Sequence, residues 1–142
     1  MNPEILSFIP QRDPFIMISE LISADDHTTQ SSLTILPDNL FVVNGLFTEP
    51  GLIENMAQTA GAGTGYKAKA EGKTQPKGYI AALKNVNILA LPKVNDTIKT
   101  EIAFVQNLLS FHLVKGKVSV NDTEIANCEL KIFVYTDQPA AQ

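Results

Sequence analysis

Residues 50–70 read PGLIENMAQTAGAGTGYKAKA, and this stretch decides the fold. Pro50 suits the first turn of a helix, where its missing N–H costs nothing, and no later proline interrupts the segment. The first half is apolar or small nearly all round, which is typical of a buried helix. Four glycines each cost the helix about 1 kcal/mol relative to alanine, so we expect sheet backbone to pack closely against the Gly61 to Gly65 region.

Strands are predicted on both sides of this helix. Before it, a short helix at residues 2–9 precedes two segments rich in β-branched residues at 15–22 and 28–36. After it, the pattern predicts four strands, at residues 78–90, 97–109, 111–120 and 124–135. Asn95-Asp96 and Asn121-Asp122 indicate hairpin turns, so these strands should be antiparallel neighbours. The order predicts an α+β domain with one buried helix against an antiparallel sheet.

Length and cysteine content favour one domain without disulfide or metal cross-links. The 142 residues match the common size of a single domain, which we assign to residues 1–136, with 137–142 as a loose tail. A single cysteine forms no internal disulfide, and no Cys/His cluster indicates a metal site. We predict no metal and no cofactor.

Charge and hydropathy exclude two classes of partner. Fifteen acidic and eleven basic side chains give a formal charge of −4, and no cluster of lysine, arginine and aromatic residues indicates nucleic-acid binding. No apolar run reaches the roughly 18 residues that span a bilayer, and residues 1–10 lack the charged head of a signal peptide. We expect a cytoplasmic protein that does not enter membranes.

A carboxylate within the apolar helix is the sharpest feature of the sequence. Glu54 stands between Ile53 and Met56, and Gln58 follows one turn later on the same side. A buried carboxylate must be hydrogen-bonded, protonated or placed in a wet cleft, and a cleft suits general acid–base work. The alternative is a glutamate that only stabilises the helix N-terminus. The spacing leaves both interpretations open.

Two segments resemble the FabA/FabZ-type 3-hydroxyacyl-[acyl carrier protein] dehydratases, which have the hotdog fold, a curled antiparallel sheet wrapped around one long helix. The family motif L-P-H-R-x-P-F corresponds to residues 9–15, IPQRDPF, and its helix motif E-x-M-A-Q to residues 54–58, ENMAQ. The resemblance covers residues 10–134. It implies that Glu54 is the helix glutamate of the catalytic pair, which this family completes with a loop histidine across a dimer interface.

The chain departs from this family at the histidines. Residues 42–47 read VVNGLF where the family has its catalytic histidine, and Gln11 replaces the histidine of the first motif. His112 is the one candidate replacement, since it is in phase with Val114 and Val118 on an apolar strand face, but a core histidine shows the same pattern. Asn44 is a candidate for orienting substrate, although Asn-Gly is equally a turn signal. Cys128 falls on the covered face of its strand and is expected to be inert.

The resemblance implies a homodimer, or a pair with a paralogue, that binds acyl chains carried by acyl carrier protein or coenzyme A. Glu54 would act as acid and base with Gln58 beside it, and the N–H groups of Gly51 and Leu52 at the helix start would hold the thioester carbonyl. The reaction would be dehydration of a 3-hydroxyacyl thioester in fatty acid or polyene biosynthesis. The alternatives are a thioesterase, which needs one carboxylate and no histidine, and a catalytically silent subunit that binds acyl carriers.

Overall fold

The computed structural model describes residues 3–108 and 110–136; the tail predicted at 137–142 lies outside the described residues. The helix forms as predicted and spans Glu49–Ala70 (α1), after Thr48 in an extended conformation and with proline in its first turn. At its far end, the N–H groups of Glu71 and Gly72 donate to the carbonyl oxygens of Lys67 and Lys69. Among the described residues, none of the helices has the length and apolar character needed to cross a membrane.

One sheet of six strands packs against α1. Every neighbouring pair is antiparallel, in the order β1-β2-β6-β7-β8-β5, and β3 and β4 form a separate two-stranded hairpin. The elements are a 3-10 helix at Pro3–Ser7 and strands β1 Glu20–Ala24, β2 Thr28–Thr34, β3 Val42–Val43, β4 Leu46–Phe47, β5 Lys77–Ile88, β6 Thr97–Asn107, β7 Phe111–Val120 and β8 Thr123–Tyr135.

The two predicted hairpin turns have different outcomes. Asn121 and Asp122, both with positive φ, join β7 to β8 as neighbours, so this prediction is confirmed. The turn at Asn95 does not make β5 and β6 neighbours, and that prediction is wrong. The N–H of Asn95 donates instead to the carbonyl oxygen of Ile35, beyond the end of β2, and β6 pairs with β2. The strand β5 therefore lies at the edge of the sheet beside β8.

The strand predicted at 15–22 begins later than expected, because Glu20 is its first paired residue. Residues 15–17 instead cross the helix, where they hydrogen-bond to helix side chains. The carbonyl oxygen of Phe15 and the N–H of Met17 both contact the side-chain amide of Gln58. Helix side chains thus hydrogen-bond to the backbone groups that a neighbouring strand would otherwise have paired.

The core lies between α1 and the inner face of the sheet. Met56 fills its centre, where Gly116 of β7 leaves room; a Cβ at Gly116 would lie 2.6 Å from the Met56 Sδ. The side chains of β8 alternate, and Ala126, Cys128, Leu130 and Ile132 are buried. Among the described residues, the largest fully buried side chains are Met17, Ile35, Phe47, Leu52, Met56, Gln58, Ile98, Ile102 and Leu130, together with Ile5, Ile9 and Ile18, which belong to a second cluster. One helix covered by a curled antiparallel sheet is the expected α+β hotdog fold.

Not all of the helix glycines make the close contacts that we expected. Gly65 lies against the backbone of Phe8, and Gly63 lies against the side chain of Thr29 on β2. Gly61 is exposed and has no atom within 4 Å of the position that its Cβ would occupy. The prediction of contact with sheet backbone is therefore wrong for this segment, since its neighbours are a side chain, a loop backbone and open space.

Candidate functional site

Glu54 lies in the second turn of α1, because the helix begins five residues earlier at Glu49. Stabilisation by the helix N-terminus fades within the first turn, so the helix-end interpretation loses its basis. The side chain is partly buried and lines a pocket of about 310 Å³ between α1 and the edge strand β5, which we call the Glu54 pocket. Its walls are Pro10, Gln11, Ala57, Gln58, Gly61, Pro76, Gly78, Tyr79, Ile80 and Ile132.

Gln58 fixes the carboxylate. Its Nε2 atom donates to Glu54 Oε1 at 3.1 Å and to the carbonyl oxygen of Phe15 at 2.8 Å, and its Oε1 atom accepts from the N–H of Met17 at 2.8 Å. The side chain is 2% exposed. Its two bonds to the backbone of Phe15 and Met17 leave Gln58 one orientation toward Glu54.

Asn55 was not predicted to be a site residue. It is buried; its Nδ2 atom donates to the carbonyl oxygen of Met17 at 2.8 Å, and its Oδ1 atom accepts from Thr100 Oγ1 at 2.6 Å. Asn55 therefore ties the loop over the helix to β6. The available signal was a second polar residue within an otherwise apolar helix turn, because a buried amide needs partners.

Gln11 occupies the position of the first-motif histidine and reaches the Glu54 pocket. Its Oε1 atom is buried without a hydrogen-bond partner among the described residues. An unpaired buried acceptor costs about 1 to 3 kcal/mol, which a ligand donor would recover. The next residue, Arg12, is structural: its guanidinium donates to the carbonyl oxygens of Leu6, Ile9 and Gln11.

The N–H groups predicted to hold a thioester carbonyl are already used. Gly51 N donates to the carbonyl oxygen of Thr48 at 2.9 Å, and Leu52 N donates to the same oxygen at 3.3 Å. Both residues are buried, and a Cβ at Gly51 would lie 2.6 Å from the Phe47 ring. The expectation that Gly51 and Leu52 hold the thioester carbonyl is corrected, because the Thr48 carbonyl already accepts from both N–H groups.

Asn44 also lies away from the Glu54 pocket within one protomer. It has φ 53°, is exposed, and forms with Gly45 the two-residue turn between β3 and β4. Both residues have the positive φ of a type I′ turn, which asparagine and glycine favour. The turn interpretation explains the conformation of Asn44, and its assignment to substrate binding stays a prediction.

His112 lies on the inner face of β7, in phase with Val114 as predicted. It is 8% exposed, and its ring meets the edge of Phe104 with centroids 5.5 Å apart. Burial lowers the pKa of the His112 imidazole, because the charged form loses water. The residue lines a small pocket of about 30 Å³ that adjoins the Glu54 pocket but does not itself contain Glu54.

Cys128 is buried on the inner face of β8, as predicted, with its thiol 3.9 Å from the Met56 sulfur. Burial raises the pKa of the thiol to about 11. The thiol is therefore protonated at neutral pH and unsuited to nucleophilic attack. Within the described ranges, no three His, Cys, Asp or Glu side chains are grouped so as to hold a metal ion.

The fold and the pocket define a class of protein: a hotdog domain whose central helix presents one amide-held carboxylate to a largely apolar cleft. Comparison with known proteins gives the family. The family model of the ApeP-like proteins, described as ApeP dehydratase, matches residues 3–141. The chain belongs to the ApeP-like dehydratase family, so the expected relationship to acyl-thioester dehydratases is confirmed.

Curated relatives agree with this assignment. The 3-hydroxyacyl-[acyl-carrier-protein] dehydratase FabZ of Rhizobium etli is 30% identical over 135 residues, which cover 91% of this chain and 77% of the relative. The FabZ of Methylobacterium radiotolerans is 22% identical over 139 residues, which cover 94% and 88%.

Solved structures confirm the hotdog fold. The dehydratase heterocomplex ApeI:P from Xenorhabdus doucetiae contains a chain with a TM-score of 0.87 at 17% identity, covering 94% of this chain and 91% of that one. A hypothetical thioesterase with coenzyme A from Streptococcus pneumoniae has a TM-score of 0.64 at 12% identity, covering 84% and 88%. At these low identities, the structural similarity shows only that the fold is shared.

Proposed function

We propose that this protein dehydrates 3-hydroxyacyl chains, carried as thioesters of acyl carrier protein, in the Glu54 pocket. The observation that carries the proposal is the Glu54 carboxylate, held by Gln58 and presented to a pocket whose other walls are mostly apolar. An acyl chain fits such walls, and a carboxylate beside them can move the protons that the reaction requires.

The reaction breaks a C–H bond at C2 and the C–O bond at C3. Glu54 accepts the C2 proton, and the electron pair of that bond forms the double bond between C2 and C3 as the C3 hydroxyl leaves. The leaving oxygen takes the proton that Glu54 accepted from C2 and departs as water, which returns Glu54 to the carboxylate form. Gln58 is a positioning residue, because an amide does not ionise at neutral pH and its hydrogen bonds orient the carboxylate.

Gln11 supplies the second polar contact of the proposal. Gln11 lines the same pocket and its Oε1 atom has no partner among the described residues, so after a rotation of the amide it can accept a hydrogen bond from the 3-hydroxyl or from an N–H of the carrier arm. The donor to the thioester carbonyl must come from elsewhere, since the N–H groups of Gly51 and Leu52 are occupied.

We infer that two chains pair along β5. The outer edge of this strand has no partner in the described sheet, and the apolar side chains of Leu83, Val86 and Leu89 are exposed along and just after it. The Glu54 pocket borders β5 at Gly78 and Ile80, so a second chain at this edge would lie next to the pocket. The partner would be a second copy or a paralogue, and we place the pair in the cytoplasm, where acyl carriers are loaded.

A specific observation favours a catalytically silent subunit as the second candidate. Among the described residues that line the Glu54 pocket, Glu54 is the one carboxylate, and no histidine accompanies it. Tyr79 also borders the pocket, but its ring packs on Phe133 and Tyr135, on the outer face of the sheet. One carboxylate must then serve as base and acid in turn, or the partner subunit must supply the second group.

One experiment tests these possibilities. The purified protein is incubated with 3-hydroxyacyl and with saturated acyl carrier protein, and the acyl chains are followed by mass spectrometry. Loss of one water from the 3-hydroxyacyl chain is expected. Release of free acid from either carrier would indicate a thioesterase instead, and unchanged substrates with a bound carrier would indicate the silent subunit.

A further inference from the structure

The small pocket at His112 has no role in the proposed reaction. His112 shares its walls with Ala60, Thr64 and Val134, and no hydrogen bond to its ring nitrogens is found within residues 3–108 and 110–136. The imidazole is therefore mostly buried and has no protein partner among the described residues, in a pocket whose other walls include the polar side chains of Thr64 and Lys77. A ligand that displaces water from such a group must offer it a hydrogen bond or leave it unpaired.

This His112 pocket adjoins the Glu54 pocket. Gly61, Pro76, Gly78 and Ile132 line both. Gly61 has no side chain between the two, and outside the backbone of its own helix no atom lies within 4 Å of its Cβ position. A chain bound beside Glu54 can thus continue past Gly61 without meeting a side chain.

The dimensions fit the tip of an acyl chain. Gly61 follows Glu54 by seven residues, which places it about 10 Å further along the helix axis. The volume of the His112 pocket is about 30 Å³. Since a single water needs about 10 to 15 Å³ by this measure, the pocket holds one small polar group.

We propose that the His112 pocket binds a hydroxyl group at the far end of a medium-length acyl chain, and that His112 determines this specificity. The proposal rests on acyl binding in the Glu54 pocket. A buried group that is built to hydrogen-bond a substrate discriminates strongly against an analogue that lacks the partner, because the imidazole would then stay unpaired. His112 would act on selection and not on proton transfer, since Glu54 does not line the His112 pocket.

Binding measurements test this independently of catalysis. Isothermal titration of the whole protein with octanoyl pantetheine and ω-hydroxyoctanoyl pantetheine should show at least about tenfold tighter binding of the hydroxylated chain. His112→Phe, which keeps a ring next to Phe104, should remove the preference. Gly61→Leu should weaken both chains and leave butyryl pantetheine bound, because only the longer chains pass the junction.

The outcomes separate the two proposals. Equal binding of both octanoyl compounds by the wild type, or an unchanged preference in His112→Phe, overturns the His112 proposal alone. Unimpaired binding of both long chains by Gly61→Leu also overturns it. Failure of the wild type to bind any of the three compounds overturns acyl binding in the Glu54 pocket, and the inference falls with it.

Discussion

The Nε2 atom of Gln58 lies 3.1 Å from Oε1 of Glu54, one helix turn away, while the same amide holds the backbone of Phe15 and Met17. The orientation of the carboxylate is thereby coupled to the loop that crosses the helix. A displacement of this loop would move the proposed acid–base group, so the local fold and the proposed chemistry share the same hydrogen bonds.

Glu54→Gln should leave folding nearly intact, because the amide occupies the same volume, and should reduce turnover of 3-hydroxyacyl substrate at least about 100-fold. Rates are measured on carrier-bound substrate, and folding by thermal unfolding. Glu49→Gln, an exposed carboxylate in the first turn of the same helix, is the matched control and should keep the wild-type rate. Full activity in Glu54→Gln would remove the catalytic assignment.

Gln58→Leu should lower the free energy of unfolding by about 1 to 3 kcal/mol, because the Met17 N–H and the Phe15 carbonyl lose their partner in a buried position. Turnover should fall as well, with the orientation of Glu54 lost. Urea denaturation measures the stability. Gln106→Leu, at an exposed position of β6, should change it by less than about 0.5 kcal/mol; equal effects of the two substitutions would contradict a positioning role.

Much of the fold was predictable because it depends on local pattern. The buried helix, the whole of β7 and the turn at Asn121 follow from periodicity and turn chemistry. The position of β5 at the sheet edge does not follow from local pattern. It depends on the hydrogen bond between Asn95 and Ile35, which are sixty residues apart in the chain.

The candidate site was predictable in part. The motif at residues 54–58 indicated Glu54 and Gln58, and the structure brings them together. The motif did not indicate that the Thr48 carbonyl would accept from the N–H groups at the helix start, or that Asn55 would reach Thr100 on β6. Those contacts depend on how the chain turns into the helix and on strand order, which no local pattern encodes.

Two helix glycines should respond to alanine in opposite directions. Gly61→Ala should raise the free energy of unfolding by about 1 kcal/mol, because alanine favours the helix and its Cβ enters open space. Gly63→Ala should lower it by about 1 to 3 kcal/mol, because the Cβ would overlap the Thr29 side chain. Thermal unfolding compares the pair, and changes of the same sign would contradict the difference in packing at Gly61 and Gly63.

Burial of His112 predicts a pH dependence of stability. Its pKa is lowered in the folded state from an ordinary value of 6.5, so the unfolded chain takes up the proton first as the solution is acidified. The stability that the neutral imidazole contributes to the folded state is fully present above pH 6.5 and is lost as the pH falls toward the lowered pKa. In urea titrations between pH 7.5 and 5, His112→Phe should lack this loss.

Because the cause of that shift is burial and not a neighbouring charge, the difference between wild type and His112→Phe should survive added salt. A difference that stays constant with pH would mean that the imidazole is as well hydrated in the folded protein as in the unfolded chain.

The unpaired edge of β5 predicts a dimer at micromolar concentration, since an open edge with exposed apolar side chains otherwise promotes aggregation. Val86 is 44% exposed on this strand, and Val86→Lys should dissociate the pair, because a lysine there must lose water to enter the interface. Val105→Lys is the matched control: Val105 is 59% exposed but lies on β6, which is paired on both sides. Sedimentation velocity distinguishes the states. A wild-type monomer would contradict the pair and leave the Glu54 pocket to a single chain, and a Val86→Lys variant that remains dimeric would place the interface on another surface.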